Sequence, residues 1–113
     1  MLRVVVFLLL SLSGFACSDK TSKQLQLTPA EEHGRTIYVT NCLPCHHESP
    51  ALPGALGPSV AGASLELLQA RVLHATYPPG YTPKRTSRAM PALPHLKDDL
   101  TDLAAYLRTA ESR

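Results

Sequence analysis

Two thiols and an imidazole lie within five residues of the sequence, in the segment CLPCH that runs from Cys42 through Cys45 to His46. Three kinds of chemistry use such a group. Two neighbouring thiols can form a redox-active dithiol. Thiolates and an imidazole can supply part of a zinc site. Thiols can also form thioether bonds to a porphyrin whose iron is bound by the histidine.

The surroundings of Cys42 and Cys45 favour the third chemistry. A thioredoxin-like dithiol opens a helix within a βαβ unit, whereas this pair follows a predicted helix and the sequence has no strand pattern. A structural zinc site needs four ligands, and no second cysteine pair exists to complete one. The C-x-x-C-H spacing is the attachment signature of c-type haem, in which both thiols reach one porphyrin edge and His46 reaches the iron.

A second axial ligand for the iron would have to come from another part of the chain. Met90 is the only methionine besides Met1, and it lies in the proline-rich segment RAMPALP rather than in an amphipathic stripe. A thioether is a soft ligand that favours ferrous iron, so Met90 is the predicted ligand. The alternatives are four histidines: His33, His47, His74 and His95. His95 is the nearest rival because it lies in the same loop.

The first 17 residues have the order of a secretory signal peptide. Arg3 precedes the apolar run VVVFLLLSL, and Gly14 and Ala16 precede Cys17. The run is shorter than the about 20 apolar residues that a membrane span needs. The segment resembles the lipobox of bacterial lipoproteins, in which the cysteine becomes the lipidated first residue, so Cys17 is the predicted lipidation site. The alternatives are ordinary cleavage that leaves Cys17 unmodified, and an uncleaved N-terminal anchor.

The folded domain is predicted to begin at residue 28, after a polar, flexible tether over residues 18–27. The segment TPAE predicts a helix start, with Thr28 as N-cap, Pro29 in the first helical position and Glu31 completing a capping box. Gly34 lies inside this helix, where a glycine costs about 1 kcal/mol relative to alanine. We therefore expect another helix to approach closely at Gly34.

Two more helices are predicted in the remainder of the domain, which extends to residue 113. Ser64 precedes a helix expected from Leu65 to about Thr76, and the last helix is expected from about Asp98, its candidate N-cap, to Ala110. Four leucines make the apolar stripe of that last helix: Leu96, Leu100, Leu103 and Leu107. The connecting segments are rich in proline and glycine. So small a domain commonly needs further stabilisation, which a large apolar cofactor would supply.

Three sequence blocks resemble the class I c-type cytochromes of the small, single-haem bacterial kind: GRTIYVTNCLPCHH, LGPSVAG and MPALPHLKDDLTDLAAYLR. The resemblance covers about residues 28–110. It implies an all-α cytochrome c fold, with three main helices and Pro/Gly-rich loops wrapped around one haem c. The haem would be attached to Cys42 and Cys45, with His46 and Met90 as axial ligands.

The resemblance also assigns roles to residues that the spacing alone does not single out. It implies that the first and last helices cross at Gly34 and Tyr106. It further implies that the carbonyl oxygen of Pro58 accepts a hydrogen bond from the ring of His46 and so fixes its orientation.

Axial ligands on both sides of the iron would leave no open position for a substrate, so the predicted function is one-electron transfer rather than enzymatic catalysis. One alternative is a fixed cytochrome subunit of a membrane oxidoreductase complex. Another is a haem sensor or peroxidase-like protein, in case Met90 does not bind tightly. The leader predicts a periplasmic or other extracytoplasmic location, with the protein held at a membrane by a lipid on Cys17.

The charge distribution bears on the partners. The net charge is +2, and no acidic residue lies between Glu66 and Asp98. The same stretch contains five basic residues: Arg71, Lys84, Arg85, Arg88 and Lys97. They belong either to an ordinary solvated loop or to a basic rim near the haem edge that steers docking of a redox partner with an acidic surface. The low total charge and the lack of a basic–aromatic pattern argue against nucleic acid as a partner.

Overall fold

The computed structural model describes residues 26–112, so the predicted signal peptide, the lipidation site Cys17 and most of the tether lie outside the described residues. Three helical regions and no strand are present in residues 26–112. The predicted all-α fold is confirmed. No helix within this range is long and apolar enough to cross a membrane.

The first helix, α1, spans Pro29–Asn41 and begins where the sequence predicts. The Thr28 N–H donates to Glu31 Oε2 at 2.7 Å, and the Glu31 N–H donates to the Thr28 hydroxyl at 3.3 Å. Both halves of the capping box are therefore formed. Pro29 is tolerated at the first position because an N–H there would have no helical acceptor. The helix ends immediately before Cys42, so α1 delivers the cysteine pair to the site.

The second helix is shorter and less regular than predicted. The α-helical part, α2, spans Leu65–Leu68, and a π-helical turn over Gln69–Leu73 continues it. The Ser64 hydroxyl caps α2 by accepting the Leu67 N–H at 3.1 Å. Ala75 has a φ of 53°, a left-handed conformation that ends a helix. The helical region therefore ends shortly before the predicted end at about Thr76, and its second half is π-helical rather than α-helical.

The third helix, α3, spans Leu100–Thr109 and follows a 3₁₀-helical segment over Pro94–Asp99. The predicted start at about Asp98 is close to the observed one, but the candidate cap Asp98 is wrong. The N-cap is Asp99, and its side chain makes no capping hydrogen bond. The chain is already turning in the 3₁₀ segment, which supplies acceptors that an isolated helix start would lack. The predicted apolar stripe is buried: Leu96, Leu100, Leu103 and Leu107.

The core lies where α1 and α3 cross at Gly34. A β-carbon at Gly34 would overlap the main-chain carbonyl of Asp102 and lie 2.9 Å from the β-carbon of Tyr106. The rings of Tyr38 and Tyr106 pack beside the crossing with centroids 5.7 Å apart and planes tilted by 53°, an arrangement that aromatic pairs favour. The close helix contact predicted at Gly34 is present. The same core receives the buried side chains of Leu68 from α2 and Val72 from the π-helical turn.

Replacement of Gly34 by alanine is expected to lower the free energy of unfolding of the mature protein by about 3 kcal/mol, because α1 and α3 would have to move apart. Denaturant-induced unfolding measures this loss. Gly80→Ala is the control, since Gly80 has a φ of 77° but no atom within 4 Å of the added β-carbon. Backbone strain alone should cost about 1 kcal/mol there. Equal losses in the two variants would contradict close packing at the crossing.

Candidate cofactor site

The cysteine segment forms a tight turn at the end of α1. The Cys42 N–H donates to the carbonyl of Tyr38 at 2.8 Å, which is the last helical hydrogen bond. The Cys42 carbonyl then accepts two N–H groups, from Cys45 at 3.1 Å and from His46 at 2.9 Å. This turn brings both thiols and the imidazole to the wall of one cavity, which Cys42, Cys45 and His46 all line.

The ring of His46 is held in one orientation. Its Nδ1 lies 2.9 Å from the carbonyl oxygen of Pro58. A carbonyl can only accept, so Nδ1 carries the proton and Nε2 keeps the lone pair that a metal requires. Gly57 lies directly against the ring, and a β-carbon at that position would overlap it. Orientation of a metal-binding histidine by a carbonyl on its other nitrogen is the usual arrangement in metalloproteins.

The segment that carries Pro58 is itself anchored to the cysteine turn. The carbonyl of Cys45 accepts the N–H groups of Leu56 at 3.2 Å and Gly57 at 2.9 Å. The Gly54 N–H donates to the carbonyl of Gly57 at 2.9 Å and closes a small loop. The acceptor for His46 is therefore positioned by the residue that precedes His46.

Tyr38 connects α1 to the chain beyond the histidine. Its ring is 1% exposed and its hydroxyl donates to the carbonyl of His47 at 2.6 Å. Burial, with smaller contributions from Cys42 and Tyr106, raises the pKa of the Tyr38 hydroxyl, so the group stays protonated and remains a donor. The sequence does not predict this hydrogen bond, because its acceptor is a main-chain atom nine residues away.

The cavity has a volume of ≈ 350 Å³, within the range of small-molecule and cofactor sites. Its walls are largely apolar and include residues from α2, its π-helical turn and α3: Leu67, Leu68, Val72, Leu103 and Leu107. Met90 also lines it, from the loop that connects the π-helical turn to the 3₁₀ segment. The four rival histidines are not among the described residues that line the cavity. His33, for example, pairs with Asp102 at 2.7 Å instead.

The Cys42 thiol has the properties of an apolar attachment site rather than of a reactive dithiol. Burial, with a smaller contribution from Cys45, raises the pKa of Cys42 to about 11, so the thiol is neutral at physiological pH. Reactive dithiols instead have lowered pKa values, often at helix N-termini, whereas this pair lies after a helix C-terminus. No group of three or more metal-binding side chains of the His, Cys, Asp and Glu types occurs in residues 26–112.

A family model described as cytochrome c oxidase, cbb3-type, subunit III matches residues 29–107. The chain belongs to this family of c-type cytochromes. A cytochrome c-553-like protein from Synechocystis sp. is 31% identical to the chain over 106 residues, which cover 93% of each protein. No solved structure matches the chain significantly. The cytochrome belongs among electron-transfer haem proteins, which are generally extracytoplasmic, and its cofactor is covalently bound haem c.

The residues of the cavity fit a haem. Two thiols lie at its wall, a lone pair on His46 Nε2 is left available, and a thioether is supplied by Met90. The remaining wall is mostly aliphatic, as an apolar macrocycle requires. All of the predicted site residues within residues 26–112 come together here: Cys42, Cys45, His46, Pro58 and Met90. Cys17 lies outside the described residues.

Replacement of Tyr38 by phenylalanine is expected to lower the free energy of unfolding by about 1 kcal/mol, because the hydrogen bond to the His47 carbonyl is lost while the buried ring remains. Thermal unfolding of the haem-loaded protein checks this loss. The matched control is Tyr106→Phe, which removes the hydroxyl from the other ring of the pair without breaking a hydrogen bond within residues 26–112. A loss as large in the control would show that the His47 contact contributes nothing.

Proposed function

We propose that this cytochrome is an exported one-electron carrier whose haem iron is held between His46 and Met90. The observation that supports the proposal is the shared cavity. His46, whose Nε2 is left free to bind a metal, lines the same space as Met90, the only thioether within residues 26–112. Cys42 and Cys45 would hold the porphyrin by thioether bonds. Pro58 would keep the imidazole at a constant angle.

Bound haem supplies an iron that changes its charge by one electron. The protein's residues would keep the surroundings of the iron nearly the same in both oxidation states. His46 and Met90 would occupy both axial positions and leave none for a substrate, which favours a carrier over an enzyme. The aliphatic walls from α2 and α3 would keep water from the iron. The thioether of Met90 would favour the ferrous state and raise the reduction potential.

Met90→Ala is expected to lower the reduction potential by on the order of 0.1 V or more, since axial-ligand identity sets haem potentials over a range of about 0.8 V. A spectroscopic redox titration measures the change. Leu93→Ala is the control, because Leu93 lies in the same loop and also packs against the core but has no ligand atom. It should reduce stability and leave the potential nearly unchanged. An unchanged potential in Met90→Ala would remove Met90 from its proposed role.

A second function has support from the family description, which names a subunit of a cbb3-type cytochrome c oxidase. The cytochrome would then be a fixed subunit of a membrane oxidoreductase rather than a free shuttle. Stable co-purification with a larger enzyme would favour the subunit, and a freely exchanging cytochrome would favour the shuttle. In either case we propose that export follows from the leader over residues 1–17 and that a lipid on Cys17 anchors the protein to a membrane.

We also propose that a redox partner with an acidic surface docks at the rim of the cavity. Arg88 is exposed and stands between Ser87 and Ala89, which both line the cavity. Leu56 also lines it and is 55% exposed, which adds an apolar contact. Three other cations of the basic stretch already have intramolecular contacts: Arg71, Lys84 and Arg85.

Arg88→Glu is expected to slow electron transfer to an acidic partner several-fold at low ionic strength, with a smaller effect at high salt, because charges at the rim of an interface act on the association rate. Stopped-flow mixing at several salt concentrations measures this. Arg108→Glu is the charge-matched control, since Arg108 lies in the last turn of α3 and does not line the cavity. Equal effects of the two substitutions, or a rate insensitive to salt, would count against docking at this rim.

A further inference from the structure

Two basic side chains bridge the loops on which the proposed iron ligands depend. We call residues 76–93 the Met90 loop and residues 48–63 the Pro58 loop. Lys84 Nζ donates to the carbonyl of Ser59 at 2.9 Å and contacts the Ser59 hydroxyl at 3.4 Å. Arg85 Nη2 donates to the carbonyl of Gly54 at 3.2 Å. The partners are 25 and 31 residues apart in the sequence.

The acceptors belong to the stretch that orients His46. Ser59 directly follows Pro58, whose carbonyl holds the His46 ring. Gly54 donates its N–H to Gly57, and a β-carbon at Gly54 would come within 2.6 Å of the His46 main chain. A displacement of either acceptor would therefore be transmitted to the imidazole.

The Met90 loop has few other attachments. Its first part is held by a stack in which the Arg71 guanidinium lies 4.4 Å from the Tyr77 ring centroid, and Tyr77 stacks on Tyr81 at 5.3 Å. Its end is held by the Leu93 N–H, which donates to the carbonyl of Val72 at 2.6 Å. Between these points, within the described part of the chain, the hydrogen bonds that leave residues 82–92 come from Lys84 and Arg85.

We propose that Lys84 and Arg85 are positioning residues that keep Met90 against the iron by tying the Met90 loop to the Pro58 loop. The inference rests on the proposed ligation by His46 and Met90. Both cations line the cavity, but in this role they hold the loop and do not bind the iron. They act on the equilibrium between a closed state, with Met90 bound, and an open state, with the loop displaced. Both acceptors are neutral main-chain carbonyls, so these bonds to the loop are hydrogen bonds and not ion pairs.

Lys84→Ala and Arg85→Ala test the proposal in the full-length, haem-loaded protein. Carbon monoxide can bind the reduced iron only when Met90 leaves, so its association rate reports the open state. Each substitution is expected to increase that rate about fivefold, the effect of losing one hydrogen bond of ordinary net strength. The sulfur–iron charge-transfer band of the oxidised protein should weaken in parallel. Lys84→Arg, which keeps a cationic donor, should restore both readouts towards those of the native protein.

Arg88→Ala is the matched control. Arg88 lies in the same loop, is exposed and makes no hydrogen bond or ion pair to another residue in the range 26–112. Its removal should leave carbon monoxide association unchanged. If Lys84→Ala and Arg85→Ala behave like Arg88→Ala while the native protein shows the charge-transfer band, the positioning role is overturned and Met90 ligation stands. If the native protein lacks the band and binds carbon monoxide at once, Met90 ligation fails and the positioning role fails with it.

Discussion

The hydrogen bond between His46 and the carbonyl of Pro58 is the constraint on which the site depends. It leaves Nε2 as the ring nitrogen that can bind a metal. The position of the Pro58 carbonyl is in turn set by the preceding residue, Gly57, whose N–H donates to the main-chain carbonyl of Cys45. The histidine, the residue before it and the loop that orients it therefore form one closed set of contacts. A shift in any member changes the direction in which the imidazole points.

The crossing of α1 and α3 provides the frame for this set. Because Gly34 has no side chain, the helices approach closely. The main chain of Asp102 and the side chain of Tyr106 occupy the space that a β-carbon at Gly34 would need. That approach positions the end of α1, and the cysteine turn begins at the next residue, Cys42. Tyr38 adds a second attachment, since its ring packs against Tyr106 and its hydroxyl reaches the chain after His46. The helix pair thus positions the cavity and the cysteine turn as well as stabilising the fold.

Features that depend on neighbouring residues in the sequence could be predicted. The capping box of α1, the glycine at the helix contact and the leucine stripe of α3 each follow from local spacing or helical periodicity. The cofactor could be predicted because its attachment needs two thiols and an imidazole at a set spacing. The grouping of Pro58 and Met90 with these residues in one cavity agrees with the expectation from the resemblance.

Features that depend on distant main-chain atoms could not be predicted. The change from α-helix to π-helix over Gln69–Leu73 accompanies a hydrogen bond from the Leu93 N–H to the Val72 carbonyl, which local propensity does not contain. The expected cap at Asp98 is absent because residues 94–99 already form a 3₁₀ helix, which runs directly into α3. Lys84 and Arg85 looked like surface charges in the sequence, since carbonyl acceptors carry no sequence signature.

The attachment of both ends of the Met90 loop to one helical region has a consequence for how the loop can come loose. Tyr77 at the start contacts Arg71, and Leu93 at the end contacts Val72, so both anchors lie within the π-helical turn. Because the two anchors share one turn, local unfolding of that turn would release both ends of the loop at once. Within the described residues, the bonds from Lys84 and Arg85 would then be the remaining hydrogen-bonded ties between the loop and the rest of the protein.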